Sequence, residues 1–172
     1  MKKRSKKRLL KKYDGKKLGW LLQAKEFVLI LAALFLVFSM LVGVSRVSGH
    51  SMDPTLSNGQ PVFFLRVHIP YERDDVVFAK MPSGSNYVKR VVAVAGDTVD
   101  LRDGVLYVNG VAEARVHHIG DTLPQDGIVT YPYTVPEDSF FLVGDNREGS
   151  IDSRSFGALP TASIKGKLLF VN

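Results

Sequence analysis

At 172 residues, with 45% hydrophobic and 23% charged residues, the chain has the composition of a folded protein with room for one sizeable core, not of a disordered one. Its net charge of +6 belongs to one end: residues 1 to 17 hold ten Lys or Arg against Asp14 alone, leaving 13 basic and 16 acidic groups elsewhere. Zero cysteines exclude disulfides, thiolate zinc sites and a cysteine nucleophile together.

The basic segment, 1–26, would suit nucleic acid if it stood alone, but it runs straight into an apolar stretch. From Phe27 to Val44 the sequence FVLILAALFLVFSMLVGV is 18 residues without a charge, Ser39 being the one polar side chain. A core helix would keep a polar face, and a cleavable signal would carry a shorter apolar core. Residues 27–44 therefore read as a retained single-pass membrane anchor at the short end of spanning lengths. The lysines and arginines before it place the N-terminus in the cytoplasm and residues 45–172 on the far side. A lipid bilayer is thus an expected partner and nucleic acid is not.

Directly after the anchor comes SGHSMDPTL, residues 48–56. A serine, Ser51, sits there between a histidine and a Met-Asp-Pro turn, and serine needs a positioned base to become a nucleophile. His50 is disfavoured as that base, since neighbours in extended chain point to opposite faces. The pair His117-His118 has no obvious orienting acid, which leaves a Ser-His-Asp triad open but unsupported, and none of the histidines, His68 included, has metal-ligand spacing, so no metal and no cofactor is expected.

Beyond Ser51 the segments are short, rich in β-branched and aromatic residues, and punctuated by turns, the pattern of an antiparallel β domain. PVFFL follows Asn58-Gly59, VVFAK follows Asp74-Asp75, and YVKRVVAVA spans 87–95. Asp103-Gly104 supplies a type I′ hairpin turn between strands over 98–102 and 105–108. FFLVGDNR and KGKLLFVN close the set. The polar stretch 112–136, with scattered Gly and Pro, reads as a loop or excursion.

In YVKRVVAVA, alternation places Tyr87, Lys89, Val91 and Ala93 on one face, so Lys89 lies in a largely apolar row. Burial there would lower its pKa far enough for it to act as a base. Strand pattern alone favours a snorkelling edge lysine, and Arg90 beside it would suit a phosphate site. GDNREGSIDSRSFG, residues 144–157, gathers Asp145, Arg147, Asp152 and Arg154, which suits either a network of charge pairs or a solvated loop.

Three segments stand in order after the anchor: SMDPT with Ser51, Met52 and Pro54; YVKRVVAVAGD with Lys89 and Arg90; and GDNR followed by Ser150, Asp152 and Arg154. Together, and with YERDDVVFAK, they closely resemble bacterial type I signal peptidase, the membrane-bound Ser-Lys protease family that removes signal peptides from exported precursors. The resemblance implies a mainly β, barrel-like catalytic domain in the bacterial plasma membrane, acting on precursor proteins near the secretion machinery. It implies Ser51 as nucleophile, Lys89 as general base, an acyl-enzyme, and Ser150 orienting the lysine amine. Pairs Arg90–Asp145 and Asp152–Arg154 would support the site. The Ser51 N–H would serve the oxyanion; some relatives add a serine hydroxyl two residues earlier, where this chain has Gly49, so a second donor must be backbone or water. Two alternatives stand beside this: a Ser-Lys peptidase dedicated to a conjugation or pilus precursor, and a non-enzymatic, membrane-tethered peptide-binding β module.

Overall fold

The structure, a computed structural model, describes residues 2–67, 69–114 and 116–169, with side chains described from Gly19 onward. His68 and residues 170–172, the end of the expected last strand, lie outside the described residues. The chain divides into two compact units, Met1–Leu41 and Val42–Asn172.

The first unit is one helix, α1, Lys2–Leu41. Its segment Gly19–Leu41 is 23 residues, long and apolar enough to cross a membrane, about 35 Å at 1.5 Å per residue. The apolar run was expected to continue as anchor to Val44, but the helix stops at Leu41 and the next residues form a strand. Val42 and Val44 are β-branched and find cross-strand partners in Leu65 and Phe63, so pairing overrides the hydropathy pattern at that end.

In the second unit the strands are β1 Val42–Arg46, β2 Pro61–Leu65, β3 Val76–Lys80, β4 Asn86–Val94, β5 Thr98–Arg102, β6 Val105–Val108, β7 Val111–Ala112, β8 Tyr133–Thr134, β9 Ser139–Val143, β10 Leu159–Pro160 and β11 Ile164–Leu168. A short helix, α2 Ser153–Phe156, precedes β10. Seven strands make a curled antiparallel half-barrel in the order β1-β2-β11-β3-β4-β9-β10, and β7-β6-β5-β8 form a smaller sheet. The β5–β6 hairpin turns at Asp103 and Gly104, whose φ values of 49° and 76° are the left-handed pair that a type I′ turn requires.

The adjacent phenylalanines of β2 part ways, as strand alternation demands. Phe64 stacks on Phe78 at 4.6 Å within the cluster of Met52, Val62, Val76 and Val88, whereas Phe63 is 45% exposed. β4 is the spine of the domain. Residues Val88 to Ala93 are all buried, because clusters of apolar side chains cover both of its faces. The simple alternation expected for β4 breaks at a register shift between Val91 and Ala93, so Val92 and Ala93 both reach the cluster of Leu106 and Phe141.

The excursion 112–136 carries little regular structure, yet it is tied down. Glu113 grips Arg147 with both oxygens at 2.7 Å, Thr122 Oγ1 accepts from Arg147 at 2.7 Å, and Ile128 N–H donates to Ser155 O at 3.0 Å.

Candidate active site

The turn 51–55 that carries Ser51 is pinned from beneath. Met52 and Leu56 are buried in a cluster with Val62 and Phe64 of β2, Val76 of β3, Val88 of β4 and Leu168 of β11, and the Leu56 N–H donates to Met52 O at 2.9 Å. The turn contains Pro54 after a cis peptide bond. Thr55 Oγ1 donates to Asp145 Oδ2 at 2.5 Å, which fastens the turn to the loop 144–154.

His50 lies in a bend and Ser51 in a turn, not in extended chain. The imidazole is nonetheless engaged elsewhere: Nδ1 pairs with Asp53 Oδ2 at 2.8 Å in solvent. The His117 backbone oxygen lies 3.4 Å from Thr55 Oγ1, whose proton goes to Asp145, and His118 Nε2 lies 3.6 Å from Glu113.

Lys89 reaches the serine. Its Nζ is hydrogen-bonded to Ser51 Oγ at 2.7 Å, from a side chain only 1% exposed. Burial drives the Lys89 pKa down to about 8, against the opposing fields of Asp152 and Asp145 and with the help of Arg154. The edge-lysine and phosphate-site readings of this strand both fail here, since Arg90 is itself buried and committed. Its guanidinium grips Asp145 at 2.8 and 2.7 Å, and it donates to Asp74 O at 2.8 Å.

Asp152 and Arg154 form a second fully buried pair. Asp152 accepts from Arg154 Nε at 2.8 Å and from its NH2 at 2.9 Å, and also from the Gly144 N–H at 3.0 Å. It caps α2 by accepting from the Arg154 N–H. Ser150 donates its hydroxyl proton to Asp152 Oδ2 at 2.7 Å, the ionised carboxylate being a strong acceptor. The loop and the nucleophile turn meet at Gly144. A Cβ there would stand 2.3 Å from Ser150 Oγ and 2.5 Å from Ser51 O, so no other residue fits without displacing one of them.

Gly49 is exposed, with φ 92°, and its N–H donates to Asn58 Oδ1 at 3.0 Å. That donor is committed, so Gly49 cannot serve as the second oxyanion donor in this arrangement. A cleft lined by Ser45–Ser48, Ser51, Met52, Phe78 and Ser85–Val88 opens beside the nucleophile. Edge strand β1 flanks it on one side. On the other runs the start of β4, which pairs with β9 only from Arg90 onward.

Several residues of the site escaped sequence reasoning: Thr55, Asn58, Asn146 and, from the excursion, Glu113, Thr122 and Gln125. Gln125 donates to Ser150 O and accepts from the Asp152 N–H, clamping the loop between them. Thr55 and Asn146 lay inside quoted motifs. For the excursion residues a polar stretch without periodicity offered no signal.

The sequence profile of the family described as "Signal peptidase, peptidase S26" matches residues 20–172. The chain is 31% identical to "Signal peptidase I" of Bacillus amyloliquefaciens over 171 residues, covering 94% of this chain and 92% of that protein. It is 33% identical to "Signal peptidase IB" of Staphylococcus aureus strain COL, covering 89% of this chain and 87% of that one. The crystal structure of a signal peptidase I from Enterococcus faecalis V583 superposes with a TM-score of 0.50 at 32% identity, over 60% of this chain and 100% of that one.

Proposed function

This chain belongs to the signal peptidase family, peptidase S26, and is a serine endopeptidase; from that premise we propose that it cleaves signal peptides from precursors by a Ser51–Lys89 dyad, through an acyl-enzyme, while α1 holds it in a membrane. The observation that carries this reading is the 2.7 Å contact of Ser51 Oγ with a buried lysine whose pKa is about 8. A charged ammonium could only donate to the hydroxyl. The neutral amine has a lone pair to take its proton, and burial makes that form accessible near neutral pH.

Neutral Lys89 accepts the Ser51 proton as Oγ attacks the scissile carbonyl. The ammonium then gives that proton to the leaving amine, and the acyl-enzyme remains on Ser51. A water deprotonated by Lys89 hydrolyses the ester and restores both groups. Of the two buried charge pairs, Asp152 and Asp145 act to raise the Lys89 pKa and Arg154 to lower it, and burial outweighs them. Ser150, having given its proton to Asp152, has only lone pairs to offer a neighbouring amine, which would turn Lys89 N–H groups toward it and the lysine lone pair toward Ser51.

The substrate lies extended in the cleft between the edges of β1 and β4, adding its backbone to the sheet. Nine residues separate Leu41 from Ser51, so the nucleophile cannot be more than about 35 Å of chain from the end of α1. A cut near the membrane surface follows, which is where a membrane-threaded signal peptide offers its cleavage site. The ten Lys and Arg of residues 1–17 orient α1 with its N-terminus in the cytoplasm.

Incubation of the detergent-solubilised full chain with a signal-bearing precursor tests the reading. Ser51→Ala and Lys89→Met should each abolish processing while the protein stays folded; processing retained by either sinks the dyad.

A further inference from the structure

We infer that Asn146 is a positioning residue for the oxyanion site: by holding the His50 carbonyl it aims the Ser51 N–H at the oxygen that becomes negative during attack. This deepens the dyad reading and rests on it. Asn146 brackets the nucleophile with two bonds. Its side-chain Nδ2 donates to His50 O at 3.0 Å, and its backbone N–H donates to Ser51 O at 3.1 Å. The carbonyls before and after the serine side chain are thus held by one residue.

The His50 carbonyl and the Ser51 N–H belong to the same peptide unit. That unit is planar and trans, so the two groups point in opposite directions, and fixing one fixes the other. With its oxygen turned to Asn146, the unit turns its N–H away from Asn146. Among the described residues the Ser51 N–H has no protein acceptor, as a donor kept for a substrate oxygen requires. The orientation of the Asn146 amide is itself determined: Oδ1 accepts from the Gly149 N–H at 3.1 Å, which leaves Nδ2 to face His50 O.

The support of Asn146 comes from the excursion. Ile119 N–H donates to Asp145 O at 2.9 Å and Arg147 N–H donates to Ile119 O at 3.0 Å, a bridge that grips the backbone on both sides of Asn146. The nucleophile turn has other anchors in Met52, Leu56 and the Thr55–Asp145 bond. Loss of Nδ2 therefore leaves the turn in place and frees the 50–51 peptide to rotate.

Asn146→Asp isolates that bond. It keeps the shape, the backbone bond to Ser51 O and the acceptor for Gly149, and replaces only the donor facing His50; Asn146→Ala removes the whole amide. With the full chain in detergent and a precursor peptide, both variants should lose about 10- to 100-fold in kcat with KM within about threefold of the parent. For Asn146→Ala the acidic limb of the pH profile should stay where the parent has it, since the base is untouched. A peptide aldehyde, whose tetrahedral adduct on Ser51 places an oxyanion in the same position, should lose affinity in step with kcat/KM. The matching peptide alcohol, which forms no adduct, should bind as it does to the parent.

Catalysis within about threefold of the parent in both variants overturns the proposal. So does a fall in kcat with unchanged aldehyde affinity, or one accompanied by lost alcohol binding, which marks a merely structural residue. A parent without Ser51-dependent cleavage would instead sink the dyad reading, whereas an active parent with indifferent Asn146 variants removes the positioning role alone.

Discussion

Replacing Lys89 by methionine should destroy activity and stabilise the fold. The lysine pKa falls from 10.5 in a free chain to about 8 in the folded protein, chiefly through burial. Below pH 8 the folded state must carry an ammonium that the unfolded state solvates better. At about 1.4 kcal/mol per unit that penalty is about 3 kcal/mol. Between pH 8 and 10.5 the unfolded chain binds more protons than the folded one, so stability rises with pH and the penalty fades. Methionine keeps most of the lysine stem's volume and carries no charge. It forfeits the 2.7 Å contact with Ser51, worth about 1 kcal/mol. Lys89→Met should therefore be about 2 kcal/mol more stable than the parent at pH 7, and near parity or slightly below it at pH 10.5. Pulse proteolysis across a urea series in detergent measures this in the β domain, because the single tryptophan, Trp20, sits in α1 and does not report on it. Exposed Lys80→Met serves as the control that removes no buried charge. A Lys89→Met protein less stable than the parent at pH 7, or a difference that does not change between pH 7 and 10.5, would refute a buried amine with a depressed pKa.

The parent's kcat/KM should fall about tenfold per pH unit below a limb near pH 8, since only neutral Lys89 can take the proton; a limb near 10.5 would contradict the site geometry. Arg154→Gln removes a cation that helps keep Lys89 neutral and leaves Asp152 unpaired, so the limb should move to higher pH, at a stability cost of about 3–5 kcal/mol measurable in the same urea series. Gly144→Ala forces a methyl to within 2.3 Å of Ser150 Oγ and 2.5 Å of Ser51 O; precursor turnover should fall by about 100-fold or more, and an active variant would show that the loop can yield. Phe64→Ala should cost about 3–5 kcal/mol by urea unfolding, and its neighbour Phe63→Ala under about 1 kcal/mol, because only the first empties a packed site.

What the sequence made legible follows from how local each signal is. The β5–β6 hairpin could be placed because Asp103-Gly104 encodes its turn in two residues. Lys89 could be placed on an apolar face because alternation is a property of the strand itself, as far as Val91. One expectation yielded to an interaction between distant segments. Val42–Val44 looked like anchor by hydropathy and became strand through pairing with residues 63–65. The excursion was the least legible part, since its contacts with Arg147, Ser150 and Asp152 are made by isolated polar side chains with no repeating spacing.

The excursion explains how the site can keep so many buried charges in place. Arg90, Asp145, Arg147, Asp152 and Arg154 are all buried within one short span of loop and the strand beside it, and each would be costly if a partner slipped away. A loop of Ser, Gly and Asp has little apolar surface to hold its shape. Glu113 with Thr122 on Arg147, Gln125 on the 150–152 backbone and the Leu123 carbonyl on Arg154 supply the restraint from outside. The tuning of Lys89 depends on both charge pairs staying closed, so residues that never approach the serine should still set the pH at which it works. Glu113→Gln weakens the clamp on Arg147 without touching Ser51, Lys89 or either pair that flanks the lysine. If the excursion is only a cover, that change leaves the acidic limb where it was. If it is a brace, the limb moves, because a loosened 144–154 loop admits water to the amine and relieves the burial that depresses its pKa.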